Sequence, residues 1–207
     1  MIKRLLLVIV LASFSIVANA QEEKIRFGAK AGLNFASLNG DGISGLSGLT
    51  SFHIGAVVEV PIAEKLAFQP ELVYSSQGYQ FDTVVFDGFL GALNVDSTTK
   101  LNYINIPIMA KYYVAQGLSI QAGPQIGILV SAKTKADTAG FSTEVDVDDF
   151  VKTIDYGVNF GAGYQLDMGL FFDARYNLGL SNINDGFGSG LVKNQNSVIQ
   201  LSAGYKF

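Results

Sequence analysis

The chain ends on VIQLSAGYKF, Val198 to Phe207, and the reading of that stretch decides the fold. Ile199, Leu201, Ala203, Tyr205 and Phe207 are apolar or aromatic, and Gln200, Ser202, Gly204 and Lys206 between them are small or polar. A period of two is that of a β-strand with one oily face and one wet face. A soluble sheet gains little from a last strand that finishes on Phe. A closed barrel in lipid gains a great deal, because its final strand pairs with its first and removes both sheet edges.

Working back from that ending, seven more strands of the same period precede it. The first, Ile25 to Ala36, sets Phe27, Ala29, Ala31, Leu33 and Phe35 against Arg26, Gly28, Lys30, Gly32 and Asn34. The second turns Phe52, Ile54, Ala56 and Val58 outward and His53, Gly55 and Glu59 inward. The third alternates Phe68, Leu72 and Tyr74 with Gln69, Glu71 and Ser75. Pro70 falls on its outward face, where it must forfeit a ladder bond or sit at a bulge. In the fourth, Lys100 to Val114, Leu101 and Tyr103 keep one phase and Ile104, Ile106 and Ile108 the other. A β-bulge is therefore expected near Tyr103 to Asn105. The fifth, sixth and seventh strands, opening at Leu118, Ile154 and Leu170, alternate cleanly.

The connections decide the topology. They run long, short, long, short, long, short, long, with short breaks at Pro61 to Lys65, Ala115 to Gly117 and Asp167 to Gly169. The long ones are Ser37 to Thr50, Phe81 to Thr99, Lys133 to Val151 and Ser181 to Asn194. Outer-membrane barrels keep turns short on the periplasmic side and loops long outside. The sequence thus predicts an all-β fold, an eight-stranded antiparallel up-and-down transmembrane β-barrel with short periplasmic turns and long extracellular loops. A soluble eight-stranded barrel would carry its oily face inside and its charges outside.

Composition agrees. Charged residues make up 15% of the chain and there are 23 Gly and 24 Tyr plus Phe, whereas charge in soluble domains runs near ~25%. Met1 to Ala20 reads as a secretory signal peptide: Lys3 and Arg4 lead an apolar stretch that ends in Ala18-Asn19-Ala20, so cleavage is expected between Ala20 and Gln21. The mature domain is then 21–207. Fourteen basic residues less Lys3 and Arg4, against 18 acidic ones, leave a net charge of −6, which gives nucleic-acid binding no electrostatic support. There is no Cys, hence no disulfide and no thiolate metal site.

Four stretches carry a family resemblance: KAGLN at Lys30 to Asn34, QPELVYSSQG at Gln69 to Gly78, YINIPIMAKYY at Tyr103 to Tyr113, and DARYNLGLSNI at Asp173 to Ile183. Together they resemble the PorT-type outer-membrane β-barrel family of Bacteroidota-like bacteria. The resemblance implies outer-membrane residence and, for some members, an accessory role in a protein-secretion apparatus. The C-terminal strand, with Tyr205 and Phe207, also resembles the signal by which the outer-membrane assembly machinery recognises its clients, although Ser202 sits where that signal often has Gly.

The inward phase collects Arg26, Lys30, Glu59, Glu71, Lys111, Asp155, Asp173, Arg175 and Lys206. An eight-stranded bore is just wide enough for its own side chains, and unpaired charge there is very costly. Glu71, Lys111, Asp173 and Arg175 are therefore expected to form a salt-bridge plug in the periplasmic half, joined by Glu59 and Lys30. A polar conduit for protons or small ions is the alternative.

His53, the single histidine, is the one residue that could serve as a general base for an outer-membrane lipid-modifying enzyme. No motif pairs it with a nucleophile, so a hydrogen-bonded lumen residue is expected and no catalytic residue is assigned. Glu144, Asp146 and Asp148 alternate, with Asp149 beside them. They lack the Gly turn and ligand spacing of a calcium loop, so a solvated acidic loop is expected and neither metal nor cofactor is assigned. Phe27, Phe68, Tyr112, Tyr113, Tyr164, Phe171, Phe172, Tyr205 and Phe207 form the expected periplasmic aromatic girdle. The expected partners are outer-membrane lipid, the assembly machinery during biogenesis, and a protein that engages the long loops.

Overall fold

The computed structural model describes residues 25–43, 45–87, 91–138, 141–185 and 192–207; the leader and the Ala20–Gln21 bond lie outside the described residues. Among these, nine strands follow one another: β1 (Arg26–Gly40), β2 (Leu46–Ala63), β3 (Leu66–Asp87), β4 (Gly91–Tyr113), β5 (Leu118–Thr138), β6 (Phe141–Asp146), β7 (Ile154–Gln165), β8 (Leu170–Gly179) and β9 (Asn194–Lys206). Every neighbouring pair is antiparallel. Eight strands close a ring in the order β1-β2-β3-β4-β5-β7-β8-β9, and β6 hangs outside it on β5 alone.

The closing seam is the stretch that opened the reading. β9 pairs with β1 from Gly28↔Lys206 to Gly40↔Asn194. The Phe207 amide donates to the Phe27 carbonyl at 2.8 Å, and that of Lys206 to Gly169 at 2.9 Å, so the last two residues are tied on both flanks. With the ring closed, its paired strands expose no ladder edge, which is what permits a sheet to stand in lipid. The outward face is apolar, with Ile54, Leu72, Phe160, Ile199 and Leu201 among its exposed side chains, while the inward face holds buried Asn, Gln, Ser, Lys, Glu and Arg.

The turns at residues 64–65, 114–117 and 166–169 lie at one end with the start of β1 and with Phe207; we call it the turn end and the opposite one the hairpin end. Here four expectations need correction. The expected long loop from Ser37 to Thr50 is mostly strand, since β1 runs to Gly40 and β2 opens at Leu46. The expected long loop from Phe81 to Thr99 is largely strand, since β3 and β4 stay paired out to Asp87↔Gly91. The loop expected at Lys133 to Val151 begins as the outer part of β5, which folds back as β6, so four strands project beyond the ring as one sheet. The bulge lies on β5 rather than β4: Asn102 pairs with Ser131 and Tyr103 with Leu129, leaving Val130 as the extra residue. β4 itself keeps its phase, because Leu101 and Tyr103 point inward together with Asn105, Met109 and Lys111. Their apolar character reflects an apolar interior at that end. At Pro70 the ladder is interrupted without a bulge, the register being the same at Pro70↔Ile108 and Val73↔Asn105.

Candidate functional site in the barrel interior

Two carboxylates organise the turn-end half of the lumen. Glu71 on β3 is fully buried and receives Lys30 Nζ from β1 at 2.6 Å. Arg175, across the lumen on β8, donates to it through both terminal nitrogens, at 2.7 and 2.9 Å. This bidentate fork is the strongest geometry available to the pair. Arg175 also reaches Asp173 at 3.1 Å and the Gln121 carbonyl at 3.0 Å, and Gln121 donates back to Asp173 at 2.9 Å. Glu59 on β2 forms a second centre. Lys206 at 2.5 Å, Arg26 at 2.8 Å and Lys111 at 3.1 Å surround it, and the Tyr113 hydroxyl donates to it at 2.9 Å.

The expected grouping is therefore divided. Glu71, Asp173, Arg175 and Lys30 cluster together, whereas Lys111 belongs to Glu59 and reaches the other centre only through Gln69. That amide donates to Glu71 at 2.6 Å and accepts from Lys111 at 3.3 Å. Gln69 and Gln121 carry no charge to mark them as site residues, and Tyr113, expected in the girdle, donates to Glu59 instead. Their sequence signal was their shared inward phase with the charged residues. Asp155 stands apart at the hairpin end, held by Ser181 and by Asn196 at 2.7 Å.

Midway up the bore, His53 Nε2 lies 2.8 Å from Ser202 Oγ and Nδ1 lies 2.8 Å from Asn34 Oδ1. The Asn34 amide nitrogen donates to Ser75 and to the Ser76 and Phe52 carbonyls, so its oxygen must accept from the ring. The neutral imidazole then carries its proton on Nδ1 and accepts from the Ser202 hydroxyl. This is the order of a nucleophile, base and orienting group. The space is not that of an active site. His53 and Asn34 are 1% and 0% exposed, and a Cβ on Gly32 would stand 2.7 Å from His53 Cε1. The bond to His53 also explains why position 202 is Ser.

Toward the hairpin end the interior turns apolar. Leu38, Leu101, Tyr103, Ala132 and Ile183 form a buried cluster, with Leu129, Val147 and Val151 packed on it. Residues 147–151 and 181–185 lie across this end, tied by Val147 N to Ala132 O at 2.9 Å and Lys152 N to Ile183 O at 2.8 Å. The acidic segment serves this closure in part, because the Asp148 carboxylate accepts from the Ala132 amide. Asp148 itself sits in a 3₁₀ turn, Asp148–Phe150. Glu144 pairs with Lys133 at 2.7 Å. Each shifts the other, Glu144 below the usual carboxylate range and Lys133 above the usual ammonium range, chiefly through their hydrogen bond. Among the described residues, no group of three His, Cys, Asp or Glu side chains is placed to hold a metal.

Two expected girdle members face inward. Phe171 is 1% exposed with Lys206 Nζ 4.7 Å from its ring centre, and Tyr113 caps Glu59. Phe27, Phe68, Tyr112, Tyr164, Phe172, Tyr205 and Phe207 are exposed as expected. The turn end opens into a cavity of about 560 Å³ bordered by Arg26, Glu64, Lys65, Gln116, Gln165 and Asp167.

The sequence matches the outer membrane protein beta-barrel domain family over residues 19–185. No curated protein sequence matches the chain significantly. In fold it is similar to Ail, the attachment invasion locus protein of Yersinia pestis, at 13% identity and a TM-score of 0.52, covering 89% of this chain and 100% of that one. It is equally similar to Neisserial surface protein A, at 14% identity and a TM-score of 0.52 with the same coverage. The chain belongs to the outer membrane protein beta-barrel domain family and is a small bacterial outer-membrane protein, an eight-stranded transmembrane barrel. With the turn end periplasmic, as in such barrels, the hairpin end is extracellular.

Proposed function

We propose that this protein is a closed scaffold, whose lumen neither conducts nor catalyses and whose specificity lies in the strands that project outside the cell. The observation that carries this reading is the double filling of the bore, by paired charges toward the periplasm and by an apolar cluster beneath the extracellular segments. Glu71, Arg175, Asp173, Lys30, Lys111 and Glu59 serve as structural fill. The contact of His53 with Ser202 is the one support for a lipid-modifying enzyme, and the burial of both speaks against lipid reaching them. Tyr205 and Phe207 act as the assembly signal.

A second reading makes the chain an accessory component of a secretion apparatus. It draws on the PorT-type resemblance of its four sequence stretches and on the periplasmic cavity, whose border mixes apolar residues such as Leu66, Val114 and Leu166 with charged ones, as suits a protein partner. Site-specific photo-crosslinking in intact cells separates the two. Phe141 is 82% exposed on β6 and Met168 69% exposed on a periplasmic turn. The scaffold reading expects a protein adduct from position 141 and none from 168. The reverse pattern favours the secretion role, and no adduct from either position overturns both.

A further inference from the structure

The outer face of the barrel carries a recess that the scaffold role does not use. It has a volume of about 370 Å³ and is bordered by Thr50, Gln80, Thr98, Lys100, Lys133 and Glu144. The backbone shapes it. The β2–β3 register shifts between Gly48 and His53, and Gly78 opposite Lys100 adopts φ 137°, where a Cβ would run into the Thr99 carbonyl. Only glycine adopts that conformation readily.

Its charge arrangement is costly for the fold alone. Lys100 and Lys133 are direct cross-strand partners on the same outward face, and like charges so placed are destabilising. Glu144 answers Lys133 at 2.7 Å and Asp137 answers Lys135 at 3.0 Å. Among the described residues, no ion pair within 4.0 Å holds Lys100.

Height identifies the ligand. The outward row Ile104↔Ile128 faces lipid, the row Asn102↔Ser131 follows, and Lys100↔Lys133 is the next. Twelve residues of β4 separate Lys100 from the exposed girdle residue Tyr112, roughly 40 Å along a tilted strand or about 30 Å of height, which clears the ~25 Å apolar band and puts the ammonium groups at the outer headgroup level. We propose that this recess binds the phosphate group of a glycolipid in the outer leaflet, with Lys100 as the principal cation and Lys133 as the second. A compact ammonium suits a phosphate as a point charge. The acyl chains of the same molecule would lie along Ile104, Ile128 and Val130 below. This inference rests on the outer surface and is independent of what fills the lumen.

The test uses the full mature barrel, folded in detergent, titrated with bis-phosphorylated lipid A in mixed micelles, with its dephosphorylated form, and with inorganic phosphate. The phosphorylated lipid should bind about tenfold more tightly than the dephosphorylated one, in line with the attraction of two lysines at an anionic surface. The double variant Lys100→Gln with Lys133→Gln should lose that preference, while Lys65→Gln, a lysine at the periplasmic turn, should keep it. Equal binding of the two lipids, a preference that survives in the double variant, or inorganic phosphate binding as tightly as the lipid would each overturn the proposal.

Discussion

The two halves of the lumen are filled by opposite means. Toward the periplasm three carboxylates, Glu59, Glu71 and Asp173, face Arg26, Lys30, Lys111, Arg175 and Lys206. Toward the cell exterior, Leu38, Leu101, Tyr103, Ala132 and Ile183 pack together, and the one carboxylate beside them, Asp155, is held by the neutral groups of Ser181 and Asn196. The difference follows from what covers each end. The periplasmic turns are too short to reach across the bore, so side chains of the strands must fill it, and inward polar groups must find partners among themselves. The extracellular segments are long enough to fold over, and they bring Val147, Val151 and Ile183 with them. One half is rigid because its charges are mutually committed, and the other is sealed because its apolar groups avoid water.

The largest expected effect breaks the charged half. Arg175→Ala leaves Glu71 with Lys30 and the Gln69 amide and Asp173 with Gln121, and should cost about 3–5 kcal/mol in reversible unfolding, the range for breaking a buried ion pair. The exchange Glu71→Arg with Arg175→Glu should recover only part of that loss, because Lys30 would then face a second cation. If Arg175→Ala left stability unchanged, the charged half would be water-filled rather than paired.

Leu101→Ala attacks the apolar half and should cost about 2 kcal/mol, the low end for such truncations, because the covering segments can settle into the space. Its signature is local: faster hydrogen exchange at Val147 and Val151, with no change around Glu71. A uniform loss of protection would mean that the halves are not separable. Deleting Phe207, which faces outward and touches neither filling, should slow insertion and leave the unfolding free energy of the inserted barrel nearly unchanged; an unaltered rate of appearance of the heat-modifiable form would contradict the assembly role.

The smallest effect lies outside both halves, at Lys133–Glu144. A carboxyl held below its usual range adds stability above that range and loses it as pH falls through the lowered value. Exchange protection of the β5–β6 hairpin should therefore persist at neutral pH and decline only below about pH 4, the ordinary range of Glu. Loss already at pH 6 would contradict the pairing.

Much of the architecture was legible, and the reason is the period of two. It placed Lys30, Glu59, Glu71, Lys111, Asp173 and Arg175 on one face, and the eight ring strands followed from it. What phase cannot supply is who meets whom across the bore, so the single expected plug resolves into two centres, with Lys111 at Glu59. Nor does phase distinguish an apolar residue facing lipid from one facing an apolar interior. That ambiguity turned Leu101 and Tyr103 into an expected bulge on β4, and it set Phe171 in the girdle. The projecting sheet was read as loops because its Gly, Ser, Thr and Asp residues resemble loop composition, while the pairing of Asp82 with Asp96 and of Asp137 with Ser142 is set by hairpin geometry.

The central claim is that the bore is filled along its length, and conductance tests it most directly. The wild-type barrel reconstituted in a planar bilayer should show no steady current, and Leu101→Ala alone should open none, because the charged half still blocks the path. A stable, porin-sized current from the wild-type protein would contradict the account.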